Sequence, residues 1–278
     1  MLERGMTCGL LMIGLGSAIL AVGYFMQVPW ALATWPWQDS RLSNIFVSSI
    51  LSAVAAAMFW IGISRRLAGA AAGFLHVATM LGGSATVLLP LGLQRGQPSL
   101  TTPSVSLALA AVGCIGAFAW ARRMPVVDTR ALPTALRVWC ILYLLILVPA
   151  GSALIGQVPG IMPWPIKPET SMIYGWVFVS AAWSFAYPLL RPQVEHIRVG
   201  LVGFLAYDAV LIVPFVRHLE TVRPELLNSL LLYIVALTVS AGVSIHYLLI
   251  SPDTRLVAPG NWGAGRHRAG KTKHRTPG

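Results

Sequence analysis

Charge is what this sequence has least of. Only 10% of its 278 residues are Asp, Glu, Lys or Arg, against about 25% in an ordinary soluble domain. Hydrocarbon imposes that deficit, because an unpaired charge buried there costs several kcal/mol. With 56% hydrophobic residues and a mean hydropathy of +0.72, the composition excludes a soluble enzyme or a chain with a separate soluble domain.

Cysteine is also scarce. Cys8, Cys114 and Cys140 all fall in or at the edge of apolar stretches, so a structural disulfide on an oxidising face is not expected. The absence of a C-x-x-C pair argues against thiol-redox or zinc chemistry, and no metal site is expected. No H-E-x-x-H signature points to a zinc protease. There is no Walker loop for ATP hydrolysis and no multiple-Asp motif for metal-dependent lipid-phosphate transfer. No lysine lies within an apolar stretch, which excludes a retinal Schiff base. Ser84 and His246 fall toward opposite ends of their stretches, so they do not form a Ser–His dyad.

What the chain has is long apolar runs. A membrane-spanning helix needs roughly 20 apolar residues, and eight such stretches are read near 9–28, 44–64, 67–93, 104–121, 138–156, 172–190, 199–216 and 229–250. The fold class is an all-α integral membrane bundle of eight transmembrane helices. The net charge of +11 does not point to nucleic acid, because topology accounts for it. With the N-terminus inside, fifteen basic residues fall in inner segments (Arg4, Arg65, Arg66, Arg122, Arg123, Arg130, Arg137, Arg191, Arg198, Arg255, Arg266, Arg268, Lys271, Lys273 and Arg275). Five fall outside, namely Arg41, Arg95, Lys167, Arg217 and Arg223. That bias places both termini on the cytoplasmic side of a bacterial-type inner membrane. Ala31-Leu32-Ala33 looks like a signal-peptide cleavage site, but the apolar run before it is longer than the 7–15 residues of a signal peptide, so the first stretch is expected to stay as a membrane helix.

The chain also resembles itself. Gly73-Phe74-Leu75 aligns with Gly203-Phe204-Leu205, and Ile45, Ser52 and Ala53 align with Ile173, Ser180 and Ala181. Pro36-Trp37 aligns with Pro163-Trp164 one residue out of step. The shared offset indicates two four-helix repeats, 1–121 and 138–250, of parallel topology and related by a pseudo-twofold axis along the membrane normal. An inner linker, 122–137, joins them, with Pro125 and Pro133 discouraging continuous helix. Residues 251–278 read as a disordered basic cytoplasmic tail that attracts anionic lipid headgroups.

Ionisable residues inside a membrane are functional candidates. Here they are His76, Asp208 and His246. His76 shares a helix face with Gly69, Gly73, Met80 and Gly83, where close helix approach points it toward protein. A histidine bonded to a neighbouring helix is the plain alternative. Asp208 lies on a bulky apolar face with Leu201, Leu205, Ile212 and Phe215, where an acid costs about 3 kcal/mol. The pair His76 and His246 has the chemistry of a bis-histidine haem site, but two histidines among eight helices are a weak signal and no cofactor is expected. Ser48, Ser52 and Ala56, and likewise Ser180 and Ser184, have the spacing of helix-packing seams.

The outer loops hold a second constellation. Trp35, Trp37 and Trp164 are expected as interfacial anchors, along with Trp30. Behind them, Asp39 aligns with Lys167 and Arg41 with Glu169, with signs exchanged, so the pairs Asp39–Lys167 and Arg41–Glu169 are expected across the pseudo-twofold. Three functions fit. The first is a small permease or translocation component with Asp208 and His76 at its site. The second is a non-catalytic membrane subunit or scaffold, with a membrane-protein partner or a second copy of itself. The third is an enzyme acting on a lipid or quinone.

Overall fold

A computed structural model describes residues 2–256, with side chains from residue 5. The described chain is all-helical, with no strand. Eight helices are long and apolar enough to cross a membrane. They are α1 Gly5–Phe25, α2 Arg41–Ser64, α3 Leu67–Gln94, α4 Pro98–Ala121, α5 Thr134–Ile155, α6 Pro168–Leu190, α7 Val194–His218 and α8 Pro224–Ile250. The first four residues of α3 form a 3-10 turn, α6 is interrupted at Ala182, and α8 closes on a π turn at His246–Ile250. All eight coincide with the apolar stretches of the sequence.

Most helices begin earlier than hydropathy alone indicates, because their first turns are polar or contain proline. Pro98, Pro168 and Pro224 occupy first-turn positions, where the missing N–H costs nothing and the fixed φ favours the helix. Ser40 caps α2 by accepting from the Ser43 N–H at 3.2 Å. At the other end of α2, Arg65 closes the helix with a left-handed φ of 56°.

Consecutive helices pack in pairs: α1 with α2, α3 with α4, α5 with α6, and α7 with α8. The first four helices meet the last four where α2 packs on α7 and α3 packs on α6. Exchanging each helix for the one four places along leaves this set of partners unchanged. Small residues set the closest approaches. A Cβ on Gly175 of α6 would meet the Gly151 carbonyl of α5 at 2.6 Å. Ser48, in one of the expected seams, donates to the Ala21 carbonyl of α1 at 2.7 Å. The Trp176 indole lies against Gly83 so closely that no Cβ fits there.

One end of the bundle carries Arg65, Arg66, Arg122, Arg123 and Arg198; we term it the basic end, and the opposite one the tryptophan end. The expected linker 122–137 is not free at the basic end. Its last residues already belong to α5, and 122–133 is strapped to the start of α7. Leu132 N–H donates to the Pro192 carbonyl and Val194 N–H to that of Arg130, both at 2.9 Å. Nor is the expected disordered tail free from its first residue. Ser251 and Thr254 are buried, and Leu256 N–H returns to the Leu248 carbonyl at 2.9 Å. From 257 on, that segment lies outside the described residues.

Candidate functional site

A cavity of about 330 Å³ runs through the middle of the bundle. It is bounded by α2 and α3 on one side and by α5, α6, α7 and α8 on the other. Its walls are chiefly aliphatic and aromatic, and among the described residues no Lys or Arg lines it. That size lies at the lower end of ordinary small-molecule sites, which combine an apolar lining with a few placed polar groups.

Among the described residues, Asp208 is the only carboxylate on the lining. It comes from α7, 14 residues beyond that helix's first residue, Val194, which is roughly 21 Å along the axis at 1.5 Å per residue. Its residue is 1% exposed, and neither carboxyl oxygen has a hydrogen-bond partner among the described residues. Ser240 of α8 stands beside it, but no bond of ordinary geometry forms, and Ser240 Oγ is likewise unpartnered. Three tyrosines line the cavity with the acid: Tyr143 of α5, Tyr207 of α7 and Tyr233 of α8. Their own hydroxyls are engaged elsewhere. Tyr143 donates to the Ala236 carbonyl at 2.9 Å, and Tyr207 and Tyr233 bond to one another. Asp208 is therefore the strongest polar group lining the cavity and, like Ser240, is left without a hydrogen-bond partner among the described residues.

His76 lines the same cavity nearer the basic end. Its Nδ1 lies 3.4 Å from Ser184 Oγ of α6, a long contact. The expected glycine face of α3 divides. Gly69 abuts the Glu195 carbonyl of α7, where a Cβ would come within 2.9 Å, whereas Gly73 borders the cavity. His246 lies apart from the cavity. It is exposed, packs edge-on against Tyr247 and is absent from the lining. The cavity thus brings together two of the three expected intramembrane residues and does not bring His76 and His246 together as axial ligands.

The cavity has a lateral opening. Ile146 of α5 and Leu232 of α8 both line it, yet they are 50% and 71% exposed. The two helices do not pack closely along this flank, and the Tyr143 bond to Ala236 bridges the gap between them.

Aromatic residues pack together at the tryptophan end; of the three site tryptophans, Trp164 lies in the core rather than at the surface, and Trp35 and Trp37 are half-buried. Trp164 is 3% exposed and donates to Ser43 Oγ of α2 at 2.9 Å. Its ring packs on Phe46 and Phe215. Trp37 is half-buried and donates to Thr170 Oγ1 of α6 at 2.8 Å. Thr170 in turn donates to Asp39 at 2.6 Å. Trp35 packs against Trp37 and Tyr174. The expected cross-pairs of charges do not form. Lys167 donates to the Gln38 carbonyl beside Asp39, and Glu169 pairs with Arg95 at 2.7 Å rather than with Arg41, which is exposed. Asp39 instead accepts from Thr170 Oγ1 and from the Ser40 N–H, and Arg95 reaches Glu169 from the end of α3.

A polar cluster that the sequence did not single out holds the basic end. Asp128 of the connecting strap receives Arg198 and Arg130, each at 2.7 Å, and Arg66 at 3.6 Å. The Arg130 hydrogen bond, reinforced by the charge of Arg198, holds the Asp128 carboxyl well below the usual carboxylate range. Arg198 is 2% exposed and also donates to the Thr254 carbonyl at 2.8 Å. Glu195, buried beside it, accepts from the backbone N–H groups of Val127 and Asp128 at 2.7 and 2.6 Å. One acid and three arginines therefore tie α2, the strap, α7 and the end of α8 together. Counting arginines for topology conceals such partners. The visible signal was the acidic pair Asp128 and Glu195 amid basic residues.

Among the described residues, no group of three or more His, Cys, Asp or Glu side chains is placed to hold a metal. The chain matches no known protein family, no characterised protein and no solved structure.

Proposed function

We propose that this protein is a small proton-coupled permease, with the cavity as its binding site and Asp208 as its proton-carrying group. One observation carries the reading. A buried carboxyl without a partner faces a ligand-sized cavity bounded by helices from both halves of the chain. An ionised carboxylate in apolar surroundings needs a counter-charge, and no lining residue supplies a permanent one, so either a proton or a solute must. That alternation is the elementary step of proton coupling. His76, on the same cavity toward the basic end, is the second group in the proton path. The two halves are read as a parallel duplication rocking about the cavity. Interchangeable helix partners and the reciprocal tryptophan bonds support this. The arginine distribution supports an inner-membrane location with both ends in the cytoplasm.

The test is uptake by the purified full chain in liposomes carrying an imposed pH gradient, against a panel of small amphipathic solutes. At least one solute should accumulate with the gradient, and Asp208→Asn should abolish this in protein that remains assembled. If no solute accumulates, or if Asp208→Asn transports as well as the parent, the permease reading is wrong.

A further inference from the structure

Resting on that reading, we infer that the transported solute is a small apolar monocation that exchanges with the proton on Asp208. Four observations bear on it. Among the described residues the cavity presents one carboxylate and no Lys or Arg, so its sign selects a cation and its count selects a single charge. The carboxyl is unpartnered and 1% exposed, so a solute charge placed there meets no internal competitor. Phe46, Phe178 and Phe204 line the wall with the three tyrosines, and aromatic faces attract a desolvated cation while accepting its apolar body. The lateral opening at Ile146 and Leu232 is apolar on both rims, which suits a solute that has already partitioned into lipid.

Charge balance follows. The resting site holds one proton on Asp208. As the cation arrives, the carboxyl gives up that proton to water, and the cation becomes the counter-ion of the carboxylate. Nothing else is made or broken, so one proton leaves for each cation bound. The titratable groups lining the cavity with Asp208 are Tyr143 from α5, Tyr233 from α8, Tyr207 from α7 itself and His76 from α3; α2 and α6 contribute none to the lining. Tyrosines ordinarily titrate near 10, so below about pH 9 the released proton comes from Asp208 or His76, and variants at each position separate them.

The experiment uses the full chain in detergent micelles with labelled tetraphenylphosphonium, a fixed-charge apolar cation that cannot itself carry a proton. Triphenylphosphine oxide serves as a neutral apolar comparison. Saturable tetraphenylphosphonium binding with release of close to one proton per site is expected. Asp208→Asn should weaken binding ten-fold or more and abolish the release. Asp208→Glu should retain both, and release that persists in Asp208→Asn but is lost in His76→Gln overturns Asp208 as the source of the proton. Thermal unfolding of each variant checks that it is folded.

Absence of saturable tetraphenylphosphonium binding overturns the inference. So does equal binding of the neutral compound without proton release, or unchanged binding by folded Asp208→Asn. These outcomes concern solute class alone. A permease for neutral solutes would still show gradient-driven uptake in liposomes, so failure of this inference is distinguishable from failure of the transport reading.

Discussion

Trp37 and Trp164 reach across to each other's helix. Each stands three residues before a helix N-cap, Ser40 for α2 and Lys167 for α6. Each donates its indole N–H to the residue three beyond the other helix's cap, Trp37 to Thr170 and Trp164 to Ser43. The two bonds differ in burial, so they differ in weight. Replacing Trp164 by Phe removes the indole donor from the buried Ser43 hydroxyl, which keeps only the longer Ser40 Oγ contact at 3.2 Å, and should cost about 1 kcal/mol. Truncating it to Ala also removes its packing on Phe46 and Phe215 and should cost about 3–5 kcal/mol. Trp37→Phe, at a half-buried position, should cost less than Trp164→Phe. Reversible unfolding in mixed micelles ranks the three. If Trp37→Phe proves the costliest, the burial argument is wrong.

The same residues show what was and was not legible in the sequence. Hydropathy located all eight helices, because twenty apolar residues in a row have few other uses. It located Asp208 and His76 for the same reason: an ionisable group in such a run stands out. It did not separate Trp164, which fills the core, from Trp30, which is exposed, since both precede a helix and both are amphipathic. Only the tertiary fold decides which indole turns inward. Tyr143, Tyr207, Tyr233 and Ser240 were passed over because single hydroxyls in apolar helices carry no spacing signal. One local signal recurs in the sequence. Gln27-Val28-Pro29 and Gln157-Val158-Pro159 follow α1 and α5, and both glutamines adopt left-handed φ values, 57° and 58°. An αL residue followed two positions later by proline is a helix stop, and its repetition at corresponding places would have strengthened the alignment of the halves.

Asp208 gives a test of site against scaffold. A carboxyl kept for packing loses bonds when replaced, whereas one kept for a ligand imposes a cost on the empty protein. Because both its oxygens are unpartnered, Asp208→Leu should stabilise the ligand-free chain by about 1–3 kcal/mol while removing the only acid on the cavity. A raised unfolding midpoint with lost solute binding is the expected pair of results. A lowered midpoint would make Asp208 a structural residue.

Glycine contacts between helices make a graded prediction. Gly175→Ala drives a Cβ into the Gly151 carbonyl and the Ile155 backbone nitrogen, 2.6 and 2.7 Å away. Backbone cannot yield as a side chain can, so α5 and α6 must separate. Gly113 on α4 has nothing within 4 Å of its Cβ position, and alanine there should be neutral or slightly stabilising, by up to about 1 kcal/mol. Yield of monodisperse protein after extraction should fall sharply for Gly175→Ala and hold for Gly113→Ala.

The basic-end cluster predicts an acid limb of stability. Asp128 is held ionised by Arg130 and Arg198, so its folded-state pKa lies below its unfolded value, near 3.9 for an aspartate. A depressed carboxyl contributes stability that is fully present above the unfolded pKa and is lost as pH falls through the folded one. The loss therefore begins below about pH 4, and nothing from this group should change between pH 5 and 8. Asp128→Asn removes the acid limb and leaves the buried Arg198 without its carboxylate, which should cost about 3–5 kcal/mol at neutral pH. It also loosens the hold on Arg198, whose guanidinium binds the Thr254 and Arg255 carbonyls. Tryptic cleavage after Arg255 should then be faster in Asp128→Asn than in the parent at neutral pH. Equal rates would mean that the end of α8 is fastened independently of Asp128, by the Thr254 hydroxyl bond to the Tyr247 carbonyl and the return of Leu256 to Leu248.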